Sequence, residues 1–187
     1  MRLLLTGTAL LILSTSALAD DPLSGPKVGE KAAGFEVELA VGAKAGETFD
    51  YLSSLKTKPV LLVFVGEMSR PGFGLLKVLD KYAQLRQPEG LEIVVVRVTD
   101  DRPAAVKYAR LLNERYELKA AAGVSTEGKA GPRSYTLSDE CQMTILLLDK
   151  EHKVVHNIAR RAPEQQDFKG LREAIDKLLG PSPVPFP

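Results

Sequence analysis

The sequence predicts an α/β protein with a mixed central sheet and helices on both faces of that sheet. Continuous apolar, β-branched runs occur at 59–65 and 91–98, and strands covered on both faces by helices have this composition. Between these runs the apolar residues recur every three or four positions, which is typical of amphipathic helices. The alternation favours parallel central strands, because each parallel pair needs a crossover connection.

The elements follow in order along the chain. Strands are predicted at 59–65, 91–98, 142–149 and about 154–158, with helices at about 72–86, 103–116 and 168–179. Pro103 suits the first turn of the second helix, and Gly180 ends the third. The polar turn at 149–152 predicts that the last two strands form a hairpin. The connection at 120–140 carries Gly, Pro and Ser and predicts a loop, with a short strand around 121–125.

The ends of the chain predict segments outside the domain. Arg2, the apolar run 3–13 and Ala17-Leu18-Ala19 are typical of a cleavable signal peptide at 1–19. We expect export to a periplasm or the extracellular space. The predicted order is then a flexible leader at 20–27, one domain at 28–180 and a Pro-rich, extended tail at 181–187.

Composition excludes several classes of function. The 25 Lys and Arg residues are interleaved with 24 Asp and Glu residues, so no basic surface for nucleic acid is predicted. No run reaches the roughly 20 apolar residues that a membrane span needs. The single cysteine, Cys141, excludes an internal disulfide, a redox cycle through a cysteine pair and a cysteine-rich metal site. No cofactor is predicted.

Three strings in the predicted order resemble a known family. They are VGEKAAGF at 28–35, KPVLLVFVGEMSRPG at 58–72 and MTILLLDKEHKVV at 143–155. They are similar to the opening VGxxAPxF, the active-site strand and the PTTFLIDxxGxIV hairpin of the thioredoxin-like superfamily. The resemblance is to its redoxin branch of thiol-disulfide oxidoreductases and peroxidases of the alkyl hydroperoxide reductase type. It implies a three-layer α/β/α sandwich with a C-terminal β-hairpin and helix.

The departures from the family lie at its active site. Met68, Ser69, Arg70, Pro71 and Gly72 stand where the family has WCxPC, so Ser69 replaces the nucleophilic cysteine and Gly72 the resolving one. A serine hydroxyl is too weak an acid for a helix N-terminus to ionise it at neutral pH.

A second departure lies on the loop that faces the motif in the family. Gln142 and Met143 replace its Thr and cis-Pro. A non-proline cis bond costs several kcal/mol, so we expect a trans bond before Met143 and an altered substrate groove.

Cys141 admits two interpretations. It precedes the cis-Pro position of the family by two residues, where it could approach Ser69 and Arg70, and a nearby guanidinium would favour its thiolate. It would then be a displaced nucleophile. The other interpretation, favoured by how often free cysteines are buried, is a shielded and inert residue. The 120–140 loop borders the same edge of the sheet.

Two further constellations are weighed. Ser69, Asp149 and His156 follow the order of an α/β-hydrolase triad, but Glu67 and Pro71 flank the serine where that motif needs small residues. His152 and His156 could share a metal on one strand, but no third ligand is evident, and two exposed histidines are favoured. No metal site is predicted.

The sequence therefore favours a protein that is not an enzyme. The main hypothesis is an exported thioredoxin-fold domain that binds or scaffolds a protein or peptide segment in the altered groove formed by residues 68–72, Gln142 and Met143. The alternative is a redoxin-type oxidoreductase or peroxidase that uses Cys141 as its single cysteine, with an external thiol to resolve it. Val63, Val95 and Leu147 are expected to be inaccessible to solvent.

Overall fold

The computed structural model describes residues 22–186, so the predicted signal peptide lies outside the described residues. Seven strands are found within that range: β1 Glu36–Val41, β2 Thr48–Asp50, β3 Val60–Val65, β4 Glu92–Arg97, β5 Ala121–Ser125, β6 Met143–Leu148 and β7 Val154–Arg160. The α-helices there are α1 Tyr51–Ser54, α2 Arg70–Arg86, α3 Arg102–Tyr116 and α4 Phe168–Leu179. None of these helices has the length and apolar character needed to cross a membrane.

The strands form one mixed sheet in the order β2-β1-β5-β4-β3-β6-β7. The central strands β3, β4 and β5 are parallel to one another, whereas β6 and β7 are antiparallel and form the predicted hairpin. Each strand and helix predicted from the sequence is present within two residues of its expected bounds. The predicted α/β class and the mixed sheet are confirmed.

Alternate residues of β3 pack into the two cores of the molecule. Leu61, Val63 and Val65 face α2 and α4, while Val60, Leu62 and Phe64 face the opposite side. The second side is covered by α1 and by a 3₁₀ turn at Arg133–Tyr135. Here the rings of Phe35, Phe64 and Tyr135 form a cluster with centroids 5.0 to 5.4 Å apart. The third layer of the sandwich is thus made of short elements.

Helix α3 lies beside α2 and covers the sheet loosely. The rings of Phe73 on α2 and Tyr116 on α3 are 4.5 Å apart at their centroids, yet no residue of α3 is buried. Val63 and Leu147 are fully inaccessible, as expected, but Val95 is partly exposed. The expectation for Val95 was wrong because α3 leaves a cavity over the middle of β4.

The segment before the domain packs against it. Ser24 is buried, its hydroxyl lies 2.6 Å from that of Thr144 on β6, and it accepts a hydrogen bond from the Ser138 backbone N–H. The Asn157 side chain on β7 donates to the backbone carbonyls of Ser24 and Pro26. The sequence predicts a flexible leader here because of its Pro and Gly residues. In the part described from residue 22 onward, these hydrogen bonds hold it on the sheet.

The C-terminal tail is anchored by one aromatic side chain. The ring of Phe186 lies 5.0 Å from the ring of Tyr82 and 5.5 Å from that of Phe168, measured between centroids. Its carbonyl accepts a hydrogen bond from Arg172. The described part of the tail, predicted from composition to be extended, contains bends and packs against α2 and α4 at Phe186.

A buried arginine joins α2 to α4 and to the tail. The Arg86 side chain is fully inaccessible, and it donates to both carboxylate oxygens of Glu89, to the Tyr82 hydroxyl, to Asp176 and to the Gly180 carbonyl. A buried charge is tolerated when its hydrogen bonds are all made. This network fixes the end of α2 against the end of α4.

Replacing this arginine should destabilise the protein strongly. We expect Arg86→Met to lower the free energy of unfolding by about 2–4 kcal/mol, since it leaves the Gly180 carbonyl and two carboxylates without their shared donor. The control is Lys58→Met, which removes a half-exposed ion pair with Glu92 and should cost about 0–1 kcal/mol. Urea unfolding of both variants measures the difference, and equal losses would contradict the assigned role.

Candidate functional site

The turn that replaces the redox motif is a capped helix start. Ser69 is the N-cap of α2, and its Oγ accepts a hydrogen bond from the Gly72 backbone N–H at 3.3 Å. Pro71 lies in the first turn, where its missing N–H leaves no helical bond unmade. The structure thus places Ser69 at a helix N-terminus that directly follows a buried strand. Its hydroxyl serves as a helix cap, and Arg70 beside it is exposed.

Gly72 is required by a contact rather than by its backbone conformation. A Cβ at this position would lie 2.8 Å from Cγ of Pro163, and 3.3 Å from Oγ of Ser69. The first distance is a clash with a rigid ring. The second means that positions 69 and 72 face each other, as two cysteines of a redox pair must. Pro163 therefore occupies the space that a resolving cysteine would need.

The turn after β3 meets the loop before β6 through Gly66. The Gly66 N–H donates to the Gln142 carbonyl at 3.0 Å, and the Gln142 N–H donates to the Arg160 carbonyl at 2.9 Å. A Cβ on Gly66 would lie 3.2 Å from the Cys141 carbonyl oxygen. The two loops are adjacent, as the resemblance implies.

The loop before β6 departs from the family in the expected way. All described peptide bonds are trans, including the bond before Met143. The Met143 side chain is 1% exposed and belongs to the core on the α2 side. It contributes packing to that core, whereas Gln142 is the neighbour that reaches the surface.

The Cys141 thiol lies among hydroxyl groups. It is 8% exposed, and the side chains of Ser24, Thr144 and Ser138 lie near enough to favour its thiolate. Burial raises the pKa of the thiol, and these side chains together with the charge of Arg161 offset part of that increase. The guanidinium that acts on Cys141 is that of Arg161 and not that of Arg70. The thiol is therefore protonated at neutral pH.

A cavity of about 520 Å³, here called the polar cleft, opens at the same end of the sheet. Its walls are the loop at 66–67 after β3, the loop at 97–99 after β4 and the loop at 137–142 before β6. Charged side chains of both signs surround it: Glu67, Arg97, Lys129, Asp139, Glu140 and Arg161. Glu140 and Arg161 form an ion pair across its rim. The cleft offers hydrogen-bond donors and acceptors beside apolar surface.

Gln142 has an unmet hydrogen bond in this cleft. Its side-chain oxygen Oε1 is buried and has no hydrogen-bond partner among residues 22–186. Its backbone N–H and carbonyl are both used within the protein. A buried amide oxygen without a partner costs free energy.

The register of β3 and β6 excludes the hydrolase arrangement. Val65 pairs with Met143 and Val60 with Leu148, so Asp149 lies at the opposite end of the sheet from Ser69. A six-residue strand spans roughly 20 Å. Asp149 instead accepts hydrogen bonds from the backbone N–H groups of Glu151 and Lys153 and shapes the hairpin turn. The triad interpretation is wrong.

The two histidines of the hairpin lie in different surroundings. His152 has a φ of 59° in the turn, with Lys31 and Asp149 nearby. His156 lies on β7 and pairs with Leu147 of β6. The register of the two strands shifts between Leu147 and Leu148. Both are partly buried rather than exposed, and burial lowers the pKa of both imidazoles. Within residues 22–186, no three His, Cys, Asp or Glu side chains are grouped closely enough to hold a metal ion.

The site combines residues that the sequence pointed to and residues that it did not. Cys141 and Gln142 were candidates, and both line the polar cleft. Met68 belongs to the turn at 68–72, here called the motif turn. It does not line the polar cleft and instead lies on the side of α3. Arg97, Lys129 and Arg161 were not candidates, because a charged residue on a surface loop carries no pattern that marks it as part of a site.

Comparisons with known proteins show likeness in structure but not in sequence. No protein-family profile and no curated protein matches the chain. A putative thiol:disulfide interchange protein DsbE from Chlorobium tepidum superimposes with a TM-score of 0.64 at 19% identity, covering 82% of this chain and 99% of that one. A putative protein disulfide isomerase from Bacteroides thetaiotaomicron gives 0.65 at 20% identity, with coverages of 83% and 92%. The peroxidoxin BcpB from Mycobacterium tuberculosis gives 0.60 at 18% identity, with coverages of 81% and 96%.

These likenesses establish the fold. The structures that superimpose are thioredoxin-like redoxins, and they match this chain over four fifths of its length or more. The chain has the thioredoxin-like fold. Identities near 20% leave the activity to be argued from the residues of the site itself.

The motif turn can be tested by restoring its cysteines. In a Cys141→Ala background, Ser69→Cys with Gly72→Cys should bridge poorly, because Cβ of residue 72 clashes with Pro163. Adding Pro163→Ala should remove the clash and allow a disulfide to form under mild oxidant. Thiol titration and intact mass measure the yield. A double variant that bridges as well as the triple one, or a folded triple variant that never bridges, contradicts this geometry.

Proposed function

We propose that this chain is an exported thioredoxin-fold protein without redox activity, which binds a polypeptide segment of a partner in the polar cleft. Export rests on the N-terminal residues 1–19, which are typical of a signal peptide. The loss of redox activity rests on the motif turn and on Cys141. The binding role rests on Gln142.

Three features support a protein without redox activity. Ser69 caps α2 and has no thiol to offer. Pro163 fills the space beside Gly72. Cys141, the single cysteine of the chain, is buried with a raised pKa. Each feature alone would hinder thiol-disulfide exchange, because that reaction needs an accessible thiolate.

The observation that carries the binding role is the unmet oxygen of Gln142. Gln142 lines the polar cleft, and no described residue donates to its side-chain oxygen Oε1, which is itself buried. A backbone N–H of a bound segment is a donor of the right chemistry. Since both backbone groups of Gln142 are already paired, the segment is held by side chains rather than added as a strand to the sheet.

The charges of the cleft favour a polypeptide over a simple ion. Arg97, Lys129 and Arg161 face Glu67, Asp139 and Glu140 in the same cavity. A balanced set does not concentrate either sign of charge, so an anion such as phosphate gains little there. A peptide carries N–H and carbonyl groups in alternation and can pair with both kinds of side chain.

The alternative is a peroxidase that uses Cys141. The charge of Arg161 favours the thiolate, and Cys141 does line the polar cleft. Burial acts in the other direction and is the larger effect on the pKa. Because burial outweighs the charge of Arg161, the pKa of Cys141 supports a thiol that does not react as a nucleophile.

Cys141 should therefore react slowly. We expect iodoacetamide at pH 7 to modify the native protein at least about tenfold more slowly than the urea-unfolded chain, since the thiol is shielded in the native protein and burial raises its pKa. The rate should keep rising above pH 9, because the native thiol ionises later than a free one. Mass spectrometry follows the reaction. Fast alkylation at pH 7, with peroxide turnover that Cys141→Ser abolishes, makes the peroxidase the better assignment.

The binding role can be tested with peptides selected from a random displayed library. We expect selected peptides to bind Gln142→Ala about three- to tenfold more weakly than the unaltered protein, the loss expected for one hydrogen bond. The control is Gln166→Ala, an exposed residue that does not line the cleft. Calorimetry gives the affinities, and amide shifts in NMR spectra locate the site.

Two outcomes contradict this proposal. Peptides that bind both variants equally do not use Gln142. Amide shifts confined to residues outside the polar cleft place the binding surface elsewhere.

A further inference from the structure

A second cavity lies under α3, on the other side of the motif turn. It has a volume of about 60 Å³ and is lined almost entirely by carbon atoms. Val65 and Val95 form its floor on the sheet, Met68 and Leu76 one wall, and a face of α3 its roof. Tyr108 on α3 lines the cavity and is 49% exposed, so the cavity opens to solvent at this ring. We call it the apolar cavity.

Small residues on α3 leave this space unfilled. Ala105 and Ala109 are one helical turn apart and both face the cavity. In a well-packed core the residues at such positions fill the gap above the sheet, because voids larger than a water molecule are few. Here the result is that Val95, in the middle of the central strand β4, stays partly exposed.

The size of the apolar cavity limits what can enter it. About 10–15 Å³ of such volume holds one water-sized group, so 60 Å³ holds roughly four to six heavy atoms. This equals the side chain of Leu, Ile or Met and is too small for Trp. The lining is almost wholly apolar and offers little to a polar group, which favours an aliphatic occupant.

The apolar cavity borders the polar cleft. Arg97 lines both of them. The consecutive residues Val65 and Gly66 divide them, with Val65 in the apolar cavity and Gly66 in the polar cleft. Met68 of the motif turn faces the apolar side. A segment bound in the polar cleft therefore passes the mouth of the apolar cavity.

We propose that the apolar cavity is the specificity pocket of the binding site and takes one aliphatic side chain of the bound segment. This inference rests on the proposed function, because it needs a segment in the polar cleft. The polar cleft then holds the backbone and charged groups of the segment, while the apolar cavity selects a Leu, Ile or Met. Burial of one such side chain adds affinity without enlarging the site.

The cavity itself is tested with xenon, an apolar probe of suitable size. Xenon under pressure should shift the NMR methyl signals of Val65, Val95 and Leu112, which line the cavity. Ala105→Leu and Ala109→Leu fill the space and should each abolish these shifts. Ala104→Leu is the matched control, since Ala104 is exposed on the same helix and does not line the cavity. Absence of methyl shifts in the unaltered protein overturns the inference.

The selected peptides test whether the cavity serves binding. Peptides selected on the unaltered protein and on Ala104→Leu should share one position restricted to Leu, Ile or Met. Peptides selected on the filled variants should lose that restriction. Replacing the residue at that peptide position by Ala should not weaken their binding to the filled variants. Peptides with the same restriction on filled and unfilled proteins overturn the inference and leave the polar cleft as the site. If no peptide binds while xenon still enters, the proposed function fails and this assignment fails with it.

Discussion

The antiparallel pairing of β3 with β6 is the constraint on which the site depends. Every residue of both strands is buried, so a shift of the register by one position would move the side chains of one strand from one core to the other. With the register fixed, the turn after Val65 meets the loop before Met143. That meeting brings Gly66, Cys141 and Gln142 together and forms one wall of the polar cleft. The same register keeps Asp149 at the far end of the sheet.

The proposed loss of redox activity rests on the packing as well as on the motif. Ser69 caps the start of α2, and Pro163 lies in the space that a side chain at position 72 would need. Cys141 is buried, and burial raises the pKa of its thiol. Under this proposal, changing residues 69 and 72 alone to cysteine would not restore a disulfide-forming pair, because the clash with Pro163 would remain.

Sequence patterns were sufficient for the elements that bury long apolar runs. β3, β4 and β6 were predictable because each is a continuous apolar stretch, and α4 because its apolar residues follow a helical spacing. The strand β2 and the helix α1 were not predicted, since three and four residues give too short a pattern, and the six-residue strand β1 was also not predicted. Burial of Val95 was misjudged because it depends on whether α3 carries large or small side chains facing it.

The site was less predictable than the fold, because its residues come together from distant parts of the chain. The proximity of Pro163 to Gly72 follows from the path between β7 and α4, and no local pattern reports it. Arg97, Lys129 and Arg161 belong to three separate segments. Cys141 and Gln142 were found because the family resemblance marks that loop. The leader is attached to the sheet through Ser24. This attachment was not predicted, because the composition of the segment indicates a loop.

The path of the chain after the leader also bears on association between molecules. β7 is the last strand of the sheet, and an open strand edge is a template for pairing with a second chain. Here the Gly29 N–H donates to the Val154 carbonyl, the Val154 N–H donates to the Glu30 carbonyl, and Lys31 forms a bridge with Lys153. Residues 29–31, which follow the leader, thus occupy the first hydrogen-bonding positions of that edge. A chain shortened past residue 31 would leave these positions open to strand pairing with neighbouring molecules.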